Sequence, residues 1–546
     1  MVERYIRLPN QTLSMLRLTI DIDRVYEDFW TQTPIGILEF SNQPMHEIPE
    51  SDKYYGFFKA KHVTTYLENY CRTQNFAGRS LESRIRFSSP VQKLTKSNGL
   101  WTILAGSDSN TVTFQTPHIT AATGLTSQPN YPSLPNRSAF RGHLLHHKDF
   151  AAFERTTLPS LSHPTRIAVI GGAKSAADVA YACAKKGHTV TWIIRRSGSG
   201  PAAFVSAKGS FGYANSNESF YTRLVSLFLV SWFSVQAGTN TFLLKLLNQT
   251  APGRALLRKV WSGINAKAWK EADYDREDGR ENGYYNLKPD TEIFWQNDST
   301  GINQRDDFFD VIAMNVNVVR EDLVRMQEDG IVLEKSGEVG ADVVICATGW
   351  EESVPYMEDE MAGKLGVCGP PSPEDAEEED WPTLLAHADE RVLSTFPILR
   401  PSTPSPPRSS IPNFRLYASL APPSDPSILF PGRLMLGNHF RNSEVQALYC
   451  VALLSHHLPL PPVSQMNEKI AETLAWDRRR YLKKGEKGNW FYWDLVPYTE
   501  FLLGEMGLKS HREGQARGLG RTAWARDLRG LMGEYRDKYC GGDEKR

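Results

Sequence analysis

The segment from Gly171 to Asp178 (GGAKSAAD) has the residue types and the spacing of a phosphate-binding turn. In the general pattern G-x-G-x-x-G, the glycines allow a tight turn and let backbone N–H groups approach a pyrophosphate at the start of a helix. Gly171 fills the first position, whereas Ala173 and Ala176 replace the second and third glycines. Alanine fits at the third position but takes up room near the phosphate at the second. The segment therefore predicts a dinucleotide site with a degenerate fingerprint.

A pair of arginines, Arg195 and Arg196, lies 24 residues after Gly171, at the end of the next apolar run. An acidic residue at this point selects NAD, whereas arginine accommodates the 2′-phosphate of NADPH. The pair therefore predicts NADPH, and the alternative is a strand end that is merely solvated. Asp178 lies near the positive end of the helix dipole, where it is either a cofactor residue or a capping and packing residue.

These residues belong to a predicted βαβ unit, in which the strand IAVIG precedes a helix of small residues and the strand TVTWII follows it. Such a unit places a glycine-rich turn at the carboxyl end of its first strand. Periodicity predicts further elements: a helix at 61–70, β-like runs at 99–104 and 112–119, a helical and aromatic insertion at about 200–290, and a strand at 341–349.

Composition excludes several classes of protein. A length of 546 residues predicts two or three domains, and a net charge of -1 gives no reason to expect nucleic acid as a partner. The six cysteines are scattered without a C-x-x-C pair, which argues against a zinc site or a disulfide framework and favours a reducing compartment. We find neither a nucleophilic triad nor a metal motif, so the prediction for metal is none.

The first residues, MVERYIRLPN, lack the apolar core of a signal peptide, so a cytoplasmic protein is expected. One strongly apolar run, LVSLFLVSWFSV at 224–235, is shorter than the ~20 residues that a bilayer span needs. We interpret it as buried helix. The alternative is peripheral contact with a membrane through 224–247, where FLLKLL extends the run.

Several motifs stand in the order found in the flavin-containing monooxygenases, particularly their fungal branch, which the chain resembles from about Arg24 to Leu508. The most specific is F-x-G-x-x-x-H-x-x-x-F, carried by Phe140, Gly142, His146 and Phe150. The glycine turn retains the family's Ser175 and Asp178. The other matches are Phe40-Ser41 with Pro44, Ala122-Thr123-Gly124, Ala347-Thr348-Gly349, the helix around Gln446 (Glu444 to Leu448), and Pro497-Tyr498 to Leu503.

The resemblance implies an α/β fold with two dinucleotide-binding, Rossmann-like domains, and an enzyme that uses FAD, NADPH and O2. In the family a C4a-hydroperoxide of the flavin oxygenates a small organic substrate at nitrogen, sulfur or a carbonyl. The implied cofactor residues are Gly171, Gly172, Ser175, Asp178, Arg195, Arg196, Thr123, Gly124, Thr348, Gly349 and Gln446. Gln32 stands where many relatives place an asparagine near the flavin, so it is the expected catalytic-site residue. Phe140, Gly142 and His146 would form an interdomain hinge, although His146 is as readily explained as a structural histidine.

One part of the family pattern is missing from the sequence. Members begin with a strand and a G-x-G-x-x-G helix that bind the FAD pyrophosphate, but no glycine precedes Gly36 here. We therefore expect a truncated N-terminal FAD domain, through either a misplaced chain start or a genuine loss. The rival to the monooxygenase is a flavin-less, catalytically impaired NADP-binding paralogue. A plain NADPH-dependent reductase is the third interpretation.

The expected domain order follows from these motifs. Residues 1–150 form the first part of the FAD domain, and residues 151–349 form the NADPH domain with its helical insertion. An acidic and Pro/Ser-rich excursion follows at 350–410, the chain returns to the FAD domain at 411–508, and 509–546 form a basic tail.

Overall fold

The computed structural model describes residues 25–26, 28–107, 110–239, 241–295, 300–371, 380–400, 411–510 and 518–541. Its strands are β1 Lys53–Tyr54, β2 Phe57–Phe58, β3 Asn75–Phe76, β4 Arg79–Ser80, β5 Val91–Ser97, β6 Leu100–Ser107, β7 Asn110–Thr116, β8 Ile119–Thr120, β9 Gln128–Pro129, β10 His143–His146, β11 Arg166–Ile170, β12 Thr189–Ile193, β13 Ala203–Ser206, β14 Thr300–Asn303, β15 Val316–Val319, β16 Leu323–Gln327, β17 Gly330–Leu333, β18 Gly337–Gly340, β19 Val343–Cys346, β20 Trp350–Glu351 and β21 Ile428–Leu429.

The α-helices are α1 Lys61–Thr73, α2 Phe150–Thr156, α3 Lys174–Lys185, α4 Ser216–Phe220, α5 Arg223–Phe228, α6 Trp232–Gln236, α7 Thr241–Gln249, α8 Ala251–Ala272, α9 Phe308–Asn315, α10 Asp359–Lys364, α11 Trp381–Thr395, α12 His439–Leu454, α13 Val463–Arg480, α14 Leu482–Gly485, α15 Leu495–Glu505 and α16 Leu531–Tyr539. The predicted helix at 61–70 is confirmed as α1, and the two β-like runs are confirmed as β6 and β7, which pair in an antiparallel sheet with β5.

A five-stranded parallel sheet, in the order β10-β19-β11-β12-β15, carries the predicted βαβ unit. Its central strands are apolar without alternation, and β19 is fully buried, as expected where both faces of a parallel sheet are covered. Helix α3 joins β11 to β12 and buries a run of small residues, from Ala176 to Ala184. The predicted strand–helix–strand unit is therefore confirmed. Strand β10 lies at the edge of this sheet although it precedes residue 151.

The chain leaves this sheet and returns to it through paired short strands. Strand β13, after the arginine pair, runs parallel to β14, so the helical insertion from α4 to α8 begins and ends near the glycine turn. Strand β8 runs parallel to β21, which brings residues near 120 beside residues near 428. Parallel pairing thus joins segments that are distant along the chain.

The apolar run at 224–235 is part of the core, as predicted. It forms two short helices, α5 and α6, because Val230 between them takes a left-handed φ of 60°. Leu229, Val230, Trp232 and Phe233 are buried in the main hydrophobic core with α13 and α15. Within the described ranges, no helix is both long and apolar enough to cross a membrane.

The carboxyl-terminal part differs from the expectation of a tail. Helix α16 buries Leu531 and Tyr535 in the main core, and Thr522 forms a β-bridge with Thr222. This segment alternates charged and apolar residues, and it is the apolar ones that anchor it. The acidic and Pro/Ser-rich stretches predicted as a surface excursion fall mostly at 372–379 and 401–410, outside the described residues.

Candidate active site

The glycine turn is shaped by close backbone approaches on both sides. Gly171 has a φ of 146°, and a Cβ there would lie 2.3 Å from the carbonyl oxygen of Ala347. A Cβ on Gly172 would lie 2.2 Å from the carbonyl oxygen of Gly200. The turn is held by a hydrogen bond of 2.6 Å from Trp192 Nε1 to the Gly171 carbonyl. Both predicted glycines are therefore required by tertiary contacts.

Helix α3 begins directly after this turn. Ala173 is its N-cap in extended backbone, and the N–H groups of Ala176 and Ala177 both bond the Ala173 carbonyl. The preceding N–H groups, of Lys174 and Ser175, therefore belong to the open end of the helix, where an anion is stabilised. Ser175 is half-buried at this end.

Asp178 points into the protein and joins a buried ionic cluster. Its Oδ1 accepts from Lys174 Nζ and, at 2.8 Å, from Arg305 NH1. Arg305 also donates to Asp28 Oδ2 at 2.7 Å. Burial opposes ionisation of Asp178, but the charges of Lys174 and Arg305 hold the pKa of its carboxyl below the ordinary value. Burial also lowers the pKa of Lys174 to about 8. This geometry gives Asp178 a packing role.

The two arginines after β12 differ in their surroundings. Arg196 is exposed and donates through Nε to the carbonyl oxygen of Arg320 at 2.8 Å. Arg195 is half-buried. Burial raises the pKa of Cys346 to about 12, against the lowering effect of Arg137 and Arg195, so both guanidinium groups lie near the end of β19. Arg137 and Arg195 thus both act on the end of β19, and the sequence did not indicate Arg137.

The hinge motif packs the edge of the parallel sheet. A Cβ on Gly142 would lie 2.4 Å from the carbonyl oxygen of Asp342 and 2.5 Å from Phe140 Cζ, so only glycine fits under that ring. His146 is fully buried, with Nε2 2.9 Å from the Gly349 carbonyl and Nδ1 accepting from the Lys148 N–H. Burial lowers the pKa of His146. Both ring nitrogens bond the protein, which supports the structural role.

His147 follows His146, and its environment predicts that the protein becomes less stable in acid. Burial and the neighbouring His146 lower the pKa of His147 to about 4, from an ordinary value near 6.5. Below pH 6.5 the imidazole of His147 binds a proton in the unfolded chain but stays neutral in the folded chain. The free energy of unfolding therefore decreases between about pH 6.5 and pH 4. We expect His147→Gln to reduce the loss between pH 7 and pH 5 by about 2 kcal/mol, measured by urea unfolding. His143→Gln, at an exposed position, is the control; an equal acid loss in wild type and His147→Gln would contradict the expectation.

The two A-T-G segments follow shortly after strands β8 and β19. Gly349 has a φ of 85°, and its carbonyl accepts from His146 and from the Asn130 N–H, while Thr348 Oγ1 donates to the Asn130 carbonyl. In the other segment Thr123 Oγ1 lies 3.1 Å from Tyr356 OH, and the Gly124 carbonyl accepts from Arg433 NH1 at 3.2 Å. Both glycines take a positive φ, as a chain reversal between domains requires.

Gln32 lies where the first domain meets the glycine turn. Its Oε1 accepts from the Ile302 N–H of β14 at 2.8 Å. Gly301, the preceding residue, lies against the side chain of Lys174, because a Cβ there would be 2.8 Å from Lys174 Cδ. Gln32 Nε2 is buried with no hydrogen-bond partner among the described residues. The expected flavin-edge residue and the expected NADPH turn therefore meet across one strand.

Gln446 is fully buried in α12 and is held by the protein itself. Its Oε1 accepts from the Gly432 N–H at 2.9 Å, and its Nε2 donates to Tyr498 OH at 2.9 Å. Nearby, Glu444 accepts hydrogen bonds from the N–H and the hydroxyl of Ser41. The helix and the Pro497-Tyr498 segment that the resemblance singled out thus pack on one another.

Sequence reasoning missed Asp28, Arg305 and the role of Lys174. A lysine inside the fingerprint was a visible signal, because a charged residue is unusual in a turn that is otherwise small. Asp28 and Arg305 carried no such signal, since 277 positions separate them along the chain. Among the described residues, no group of three or more His, Cys, Asp or Glu is placed to hold a metal ion.

Comparison with known proteins identifies similar sequences. The chain matches the sequence profile of the Pyridine nucleotide-disulphide oxidoreductase family over residues 34–207. It is 28% identical over 530 residues to an FAD-dependent monooxygenase of Pyrenophora dematioidea. This alignment covers 90% of this chain and 91% of that protein. It is also 28% identical over 544 residues to the FAD-dependent monooxygenase resA of Aspergillus sclerotiorum, covering 94% and 90%.

Solved structures show the same fold at low sequence identity. Cyclohexanone monooxygenase bound to ε-caprolactone superposes with a TM-score of 0.53 at 15% identity, over 88% of each chain. The Rhodococcus sp. Phi1 enzyme bound to NADP+ gives a TM-score of 0.51 at 15% identity, over 88% of this chain and 89% of that one. The expected α/β fold with two dinucleotide-binding domains is therefore confirmed, while the expectation of a missing first FAD unit concerns residues outside the described ranges. The chain shares the fold of cyclohexanone monooxygenase and is similar along nine-tenths of its length to FAD-dependent monooxygenases.

Proposed function

We propose that NADPH binds at the Gly171 turn and FAD binds beside Gln32, and that the protein oxygenates a small organic substrate with O2. The protein is an FAD-dependent, NADPH-using monooxygenase. One observation supports the placement of the two sites, which is that both contact β14. Gln32 accepts a hydrogen bond from the Ile302 N–H, and the side chain of Lys174 lies against Gly301. Reduction of a flavin by NADPH requires this proximity, because hydride transfer needs the two rings in contact.

The residues present fit both cofactors. The backbone cradle at Gly171 and Gly172 and the open end of α3 suit a pyrophosphate, and Arg195 suits a 2′-phosphate. Gln32 Nε2 is a buried donor without a partner among the described residues, and an acceptor on the flavin ring would satisfy it. Bound FAD supplies the oxygen-activating chemistry. Oxygenation is expected at nitrogen, sulfur or a carbonyl of the substrate.

The protein's own part is to orient and to exclude water. Tyr492 donates from its hydroxyl to the Thr300 carbonyl at 3.0 Å and closes one side of β14. Thr33, next to Gln32, donates to the Gly437 carbonyl at 3.0 Å and ties the first domain to the start of α12. Burial raises the pKa of Tyr492 to about 12, so it remains a neutral donor at working pH.

The visible spectrum of the purified full chain tests the proposal. Flavin absorbance that stays with the protein, together with substrate-dependent oxidation of NADPH, is the expected result. A colourless protein that FAD does not reconstitute, yet which still binds NADPH, would overturn it in favour of the flavin-less paralogue.

A matched pair of variants tests Gln32. Gln32→Glu keeps an acceptor for the Ile302 N–H but loses the amide donor, whereas Gln32→Leu loses both. We expect both variants to weaken FAD binding by roughly ten-fold, which is the loss of one buried hydrogen bond. Both variants should also lower the urea midpoint, because Gln32→Leu leaves the Ile302 N–H unpaired and Gln32→Glu places a carboxylate oxygen at the buried position of Nε2. Unchanged FAD affinity in Gln32→Glu, measured by flavin fluorescence, would remove Gln32 from the flavin site.

A further inference from the structure

The segment from residue 219 to residue 270 has an unusual charge composition. It contains no Asp or Glu, whereas it contains seven basic residues, Arg223, Lys245, Arg254, Arg258, Lys259, Lys267 and Lys270. The whole chain has almost equal numbers of acidic and basic residues, 63 and 62. The segment therefore carries a local excess of positive charge that the overall net charge of -1 conceals.

Helix α7 exposes apolar side chains to solvent. Its inner face buries Leu244, Leu247 and Asn248. On the opposite face Phe242 is 77% exposed and Leu246 is 47% exposed, with the exposed Lys245 between them. Positions 242, 245, 246 and 249 lie on one face of a helix. The exposed side chains therefore form one continuous strip along α7.

Helix α8, which packs against α7, also exposes one of its faces. Its inner face buries Leu257, Trp261 and Ala268, while Leu256, 46% exposed, begins a stripe of exposed positions at 256, 259, 263 and 267. Lys267 Nζ donates to Ser210 Oγ at 2.9 Å at the far end of the stripe. The next residue, Phe211, is 98% exposed with a left-handed φ of 57°. We call the surface made by Phe211, Phe242, Leu246, Leu256 and their basic neighbours the α7–α8 face.

The cations of this face are available to a ligand. Lys245, Arg258 and Lys259 are exposed, and within the described ranges none of the three forms an ion pair. Arg223 by contrast is committed to Glu500 at 2.7 Å. Side chains of this kind beside outward Phe and Leu are the pattern of a peripheral helix that inserts apolar groups while its lysines meet anionic headgroups.

We propose that the α7–α8 face docks reversibly on an anionic lipid surface. A second copy of the chain is a poorer occupant, because two identical faces would bring unpaired cations together across a symmetric interface. The apolar run at 224–235, interpreted from the sequence as buried helix, lies in the core. Of the region 224–247 that the sequence offered as an alternative membrane contact, only the part in α7 belongs to this face. The proposal concerns a surface outside the cofactor residues and is independent of the proposed oxygenation.

Co-sedimentation of the full chain with vesicles tests the proposal. We expect binding to vesicles of phosphatidylcholine mixed with phosphatidylserine, weakening as salt rises, and little binding to phosphatidylcholine alone. Phe242→Ser/Leu246→Ser and Lys245→Gln/Lys259→Gln should each reduce the binding constant by roughly ten-fold or more. Met314→Ser/Val324→Ser, which also replaces two exposed apolar residues but outside the segment, is the matched control and should bind as wild type does.

Three results would overturn the proposal. The first is no binding to either kind of vesicle, and the second is equal binding to both with no effect of the lysine changes. The third is a dimer, seen by sedimentation velocity, that Phe242→Ser/Leu246→Ser converts to monomer, because the face would then be an interface between copies. Circular dichroism and the thermal midpoint of each variant show whether reduced vesicle binding comes from the changed surface or from unfolding.

Discussion

Replacing Arg195 and Arg196 with alanine together is expected to abolish the preference for NADPH over NADH. NADH lacks the 2′-phosphate, so its binding should change little, whereas NADPH should bind roughly 10–100-fold more weakly through the loss of charge-assisted hydrogen bonds. Arg195 should account for most of the effect, because the Nε of Arg196 already donates to the Arg320 carbonyl. Dissociation constants for both nucleotides, from fluorescence titration, measure the ratio.

Arg141→Ala is the matched control for this prediction. Arg141 is an exposed arginine paired with Glu328 at 2.8 Å, outside the glycine turn, so its loss should leave the ratio unchanged. If the double variant discriminates between the nucleotides as wild type does, the 2′-phosphate lies elsewhere. Arg137, the other guanidinium near Cys346, would then be the next residue to replace.

Replacing Arg305 with methionine is expected to lower the free energy of unfolding by about 3–5 kcal/mol. Arg305 is buried and donates to Asp178, to the Asp28 carboxylate and to the Asp28 carbonyl. Removing it leaves two carboxylates to share the single charge of Lys174. An uncompensated buried charge costs far more than a solvated one. The midpoint of urea unfolding, followed by circular dichroism, measures the loss.

Two further variants make this prediction specific. Arg280→Met removes an exposed arginine paired with Glu277 at 3.3 Å and should cost less than about 1 kcal/mol. Adding Asp28→Asn to Arg305→Met should restore part of the lost free energy of unfolding. With Asp28 neutral, the charge of Lys174 has only the Asp178 carboxylate to balance. A midpoint for Arg305→Met no lower than that for Arg280→Met would show that the cluster contributes little.

The βαβ unit illustrates how much a local pattern can predict. The strand before Gly171 has no alternation, α3 is built of small residues, and β12 follows at the usual distance, so each element is set by its own residues. The two A-T-G segments and the glycine of the hinge motif are likewise recognisable, because a positive φ favours glycine and a close backbone approach admits only glycine. Patterns of this kind are carried within about thirty residues. They predicted the strand–helix–strand unit, whereas the fold class was implied by the resemblance that these motifs carry.

The ionic cluster and the meeting of the two sites were not predictable in that way. Gln32 contacts Ile302 across 270 positions, and Arg305 contacts Asp178 across 127. Whether a charge is buried and paired depends on which distant segment the fold brings against it. The same limit applies to the last residues, which look like a basic tail in sequence but anchor Leu531 and Tyr535 in the core.

The sequence by itself predicted the glycine turn at Gly171, the strand–helix–strand unit around it and the arginines that follow, because these depend on local spacing and on backbone conformations that few residues allow. The two-domain α/β class was implied by the family resemblance. Only the tertiary structure decided that Asp178 faces Arg305 and that Gln32 reaches the strand beside Lys174. It also decided that the apolar run at 224–235 is core while Phe242 and Leu246 face outward. The physical reason is that burial is a property of the packed chain, since the partner that covers or pairs a side chain is supplied by residues far away in sequence.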